Sequence, residues 1–112
     1  YAFSYPQRIK TSFDRLDFSI IKELTFEEPD MKRFRCLAFA YEALRQGGNM
    51  ACIVNAANEV VVSAFLHDRI SFLRMSDVIE KAMQKVAFIQ TPTYDDYVAT
   101  DAEARRIAES LI

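Results

Sequence analysis

The segment "VNAANEVVVSAFL", residues 54–66, limits the fold more than any other stretch of the chain. Three consecutive valines favour a strand, whereas the alanines and the asparagine-led start favour a helix. Read as a helix capped by Asn55, its apolar residues Ala56, Ala57, Val60, Val61, Ala64 and Phe65 cover most of the circumference. Such a helix must be enclosed by neighbours on several sides. Its polar residues Asn55, Asn58 and Glu59 cluster on the leading edge. They could form a ligand-binding cluster at a helix amino terminus. The competing assignment is capping, with Asn55 accepting from free amides and Glu59 lying at the positive end of the dipole.

The enclosing helices can be read on either side. In "MKRFRCLAFAYEALRQGG", Phe34, Leu37, Tyr41 and Leu44 recur at spacings of three and four and form one apolar stripe. Asp30 is a suitable cap after Pro29, and Gly47-Gly48 supply a left-handed stop. A third helix is expected from Ser76 or Asp77, with Val78, Ile79, Ala82, Met83 and Val86 on its apolar face. Residues 90–97 read as a connector with a helical turn from Thr93. The last helix then starts at Thr100, which has capping-box spacing to Glu103. Four helices with short connections predict a mainly α chain built as a small four-helix bundle.

Residues 1–29 have another texture, with four Phe, two Tyr, two of the three prolines and no sustained helical period. They are expected to hold a short helix or extended tail and one or two short strands, leaving 30–112 as the helical domain. The opening phrase "YAFSYP" lacks an initiator methionine, so the chain reads as part of something longer.

Bulk properties narrow the function classes. Hydrophobic residues are 51% of the 112 and charged residues 27%, enough apolar material for a single core. A formal charge of −2 is unsuited to nucleic acid or an anionic membrane as main partner. No apolar run approaches a membrane span, and the amino end has no signal-peptide pattern. Two cysteines, Cys36 and Cys52, do not make a disulfide scaffold. They are expected as free, buried thiols of a cytoplasmic protein.

Self-contained catalytic patterns are lacking. The single histidine, His67, falls where the second helix should end, a position favourable to histidine without any catalytic role. No zinc-ligand spacing, Gly-x-Ser-x-Gly elbow or Gly-rich phosphate loop can be drawn. Glu27-Glu28 and Asp95-Asp96 read as solvated charge, and Lys32, Arg33 and Arg35 as a weak phosphate-site candidate. On the residues alone, the chain is a helical module without an active site of its own.

The order of the phrases "YPQR", "LDF", "LTFEEPD", "RFRCLAFAYEAL", "GGNM", "NAANEVVVSAFL", "ISFLRMSDVIEKAM" and "DAEARRIA" is similar to the carboxy-terminal part of the 1-deoxy-D-xylulose 5-phosphate reductoisomerase family. The resemblance covers essentially the whole chain. Arg35, and often Ala51 and Arg15, stand where the family has proline. The resemblance implies a parent that rearranges 1-deoxy-D-xylulose 5-phosphate and reduces the product with NADPH, using Mg²⁺ or Mn²⁺. It further implies that residues 1–29 close an α/β catalytic domain, that the parent is homodimeric, and that the NADPH-binding and catalytic domains of the same chain are the partners of this part. No catalytic, cofactor or metal residue transfers to this chain. Arg15 and Leu16 alone are flagged as substrate-pocket neighbours, and Asn55, Asn58 and Glu59 become structural residues of a bracing helix. The alternative from another class is a free-standing helical interaction module.

Overall fold

The computed structural model describes residues 1–112 and contains four helices and no strand. α1 spans Arg35–Gln46, α2 Met50–Leu66, α3 Phe72–Lys85 and α4 Tyr94–Ser110. α2 is the central element and packs on the other three, most extensively on α4 and α3. Ile53, Ala56, Ala57 and Val61 are completely buried, in keeping with the all-round apolar pattern. They meet Val78, Ile79 and Ala82 of α3 and Ala104, Ile107 and Ala108 of α4 in one core. Alanine and valine dominate these faces, so the helix axes can approach closely.

The α1–α2 reversal needs only three residues. Gly47 and Gly48 both take positive φ, and the Gly47 amide donates to the Ala43 carbonyl at 3.0 Å, closing α1. A Cβ on Gly48 would land inside contact distance of the Ile89 carbonyl oxygen and the Phe88 ring. Asn49 follows at full burial. Its Nδ2 donates to the Ala87 carbonyl and to Thr100 Oγ1, both at 3.0 Å, while its Oδ1 accepts from the Ile89 amide at 2.9 Å. Its own amide donates to the Ile89 carbonyl at 3.1 Å. One side chain thus ties the start of α2 to the α3–α4 connector and to α4.

Several expected boundaries move. α2 begins at Met50, so Asn55 does not cap it, and Asn55, Asn58 and Glu59 occupy its interior. α3 begins at Phe72, a turn before Ser76 and Asp77. α4 is continuous from Tyr94, and its capping box is Thr93 with Asp96, not Thr100 with Glu103. The Asp96 amide donates to Thr93 Oγ1 at 3.3 Å, and the Thr93 amide donates to Asp96 Oδ2 at 2.8 Å. Asp30 Oδ1 accepts from the amides of Lys32 and Arg33, both at 3.0 Å, but this organises a turn ahead of α1 instead of capping it. Cys36 is exposed, contrary to its expected burial, and Cys52 is half-buried with Sγ 3.6 Å from the Tyr97 carbonyl.

Residues 1–34 form an open leader with turns but none of the expected strands. Leu24 and Phe26 alternate as a strand would, but no second strand lies alongside to take up their backbone groups. The Cα radius of gyration is 19.4 Å, against about 13 Å for a compact chain of this length. The leader accounts for this excess, since every residue in it except Ser4 is exposed.

Candidate functional site

Two places hold the residues that the sequence singles out. Arg15 and Leu16 lie in the leader, exposed and without hydrogen bonds to the bundle. Asn55, Asn58 and Glu59 lie on α2 and divide between two environments. Asn58 is half-buried and lines an open groove of about 580 Å³ between α1 and α2, together with Asn55, Ala40, Leu44 and Val54. Glu59 points to α4 instead. Its Oε2 accepts from Arg105 at 2.7 Å, and Asn55 Nδ2 donates to its Oε1 at 3.3 Å.

Arg105 is the hub of this second environment. Its Nε and one terminal nitrogen donate to the two carboxylate oxygens of Asp101, one turn earlier on α4, at 2.7 and 3.0 Å. The same terminal nitrogen reaches Glu59 across the helix interface. The guanidinium holds the Glu59 carboxyl below the usual carboxylate range, with the Asn55 amide adding to the effect. Asp101 and Glu59 in turn raise the Arg105 pKa. A carboxylate already bound to an arginine makes a poor general base. The cluster has the chemistry of an inter-helix clamp.

Arg35 plays the corresponding part between α1 and α3. It donates to Ser76 Oγ at 2.9 Å, to Asp77 at 2.6 Å and to Glu80 at 2.9 Å, and its guanidinium lies 5.7 Å from the Phe39 ring centre. The Lys32, Arg33, Arg35 trio is therefore not a phosphate cradle, because two carboxylates already neutralise its innermost member. Arg35 lowers the Asp77 pKa, chiefly through their hydrogen bond. The position where proline was expected instead supplies a bridge between helices.

His67 caps the carboxyl end of α2, with Nδ1 2.7 Å from the Ser63 carbonyl. Burial pushes the Cys52 thiol up, away from nucleophilic character. No group of three or more His, Cys, Asp or Glu side chains is placed to hold a metal ion. The paired glycines are consumed by the α1–α2 reversal and do not form a pyrophosphate cradle. Sequence reasoning missed Asn49, although an asparagine directly after two helix-ending glycines marks a fixed turn.

No helix is long and apolar enough to cross a membrane. Comparison with known proteins agrees with the helical architecture. The family model of the DXP reductoisomerase C-terminal domain matches residues 1–107. The 1-deoxy-D-xylulose 5-phosphate reductoisomerase of Bacteroides fragilis is 75% identical over 112 residues, which are 100% of this chain and 29% of the relative. That of Bacteroides thetaiotaomicron is 73% identical over the same shares of both chains. A solved structure of the Zymomonas mobilis reductoisomerase in complex with NADPH superimposes with a TM-score of 0.75 at 37% identity, covering 97% of this chain and 29% of that one. This chain thus spans just under a third of the length of the relatives it matches. On the family match along nearly its whole length, the chain belongs to the DXP reductoisomerase C-terminal domain family.

Proposed function

We propose that this chain is the carboxy-terminal helical part of an NADPH- and divalent-metal-dependent reductoisomerase that converts 1-deoxy-D-xylulose 5-phosphate to 2-C-methyl-D-erythritol 4-phosphate. The observation that carries the reading is 75% identity along the full chain to a protein of that name. Residues 1–29 are the end of the catalytic domain and its connector, and residues 30–112 are the supporting bundle. The metal supplies Lewis-acid polarisation of the substrate carbonyl in such chemistry, from residues outside this chain. Arg15 and Leu16 are its nearest approach to the substrate pocket. Clamps such as Glu59–Arg105–Asp101 and the buried Asn49 hold the bundle as one unit, which is the contribution of this part. The whole enzyme is homodimeric and cytoplasmic in this reading.

The test replaces the matching 29% of the Bacteroides fragilis relative with this chain and follows NADPH oxidation with 1-deoxy-D-xylulose 5-phosphate and Mg²⁺ or Mn²⁺. The chimera turns over, and the 112-residue chain alone does not. A folded chimera without turnover, or metal-dependent oxidation by the chain alone, overturns the reading. The second reading, a free-standing interaction module, has no comparable support.

A further inference from the structure

No further inference is drawn: the strongest candidate, the exposed apolar surface patch of Leu66, Phe72 and Leu73 where α2 turns into α3, is an unpartnered face, and nothing in the structure shows what covers it.

Discussion

Polar side chains at helix ends and between helices carry most of the specific geometry of this chain. Asn49 is the clearest case: removing it strands the Ile89 amide and the Ala87 carbonyl, both of which it satisfies at the buried junction. Asn49→Ala is expected to cost about 3 kcal/mol, read as a lower midpoint in chemical denaturation with the slope unchanged. A loss within the error of the measurement would mean that water replaces the side chain without penalty. The exposed carboxylates make a smaller contribution that depends on pH. Glu59, held mainly by its hydrogen bond from Arg105, and Asp96, held mainly by the Thr93 amide, both have pKa values below their ordinary 4.5 and 3.8. The folded state therefore binds fewer protons than the unfolded state as these groups titrate. Their stabilisation is complete above the unfolded values and is lost as pH falls through the lower folded ones. Thermal midpoints should hold steady between pH 7 and 6 and fall below pH 4.5. In Glu59→Gln the fall should be shallower, and an identical acid limb in that variant would contradict the clamp.

At the scale of elements, the existence and type of all four helices were legible, because their apolar periods span several turns each. Their starts were less so, and for one reason. Asn55, Ser76, Asp77 and Thr100 are residue types that favour caps, since they compete locally for backbone groups. Here each lies within a helix and bonds elsewhere: Asn55 to Glu59, Ser76 and Asp77 to Arg35, Thr100 to Asn49. Periodicity along one chain cannot distinguish a cap from a contact made across helices, so the bonding partners decide. Thr93, in a connector, is a true cap. Thr93→Ala should cost ~1 kcal/mol by loss of the amide acceptor, seen as reduced thermal stability and fraying of the first turn of α4 in hydrogen exchange. Unchanged exchange at Asp95 and Asp96 would show that the box is not populated. The outward stripe of α1, exposed at Phe34, Leu37, Tyr41 and Leu44 while Phe39 and Ala43 pack on the core, was visible as a pattern. Its direction was not, because a helix with two apolar faces gives no sequence signal for which one meets the core.

For the molecule as a whole, the sequence carried more about the missing chemistry than about any site. It contains no ligand set, no phosphate loop and no base–nucleophile pair. The structure uses the charged candidates Arg35 and Glu59, with Arg105, to join helices. The leader is the part whose form the sequence could least specify. Its aromatic residues Phe3, Phe13, Phe18 and Phe26 are exposed and make no part of the core. Support without participation in the chemistry is the central claim, and the most direct test is kcat in the full-length chimera carrying Asn55→Ala, Asn58→Ala and Glu59→Ala together. The account predicts a lowered thermal midpoint with kcat within about twofold of the unsubstituted chimera. A folded variant with an unchanged midpoint and abolished turnover would contradict it.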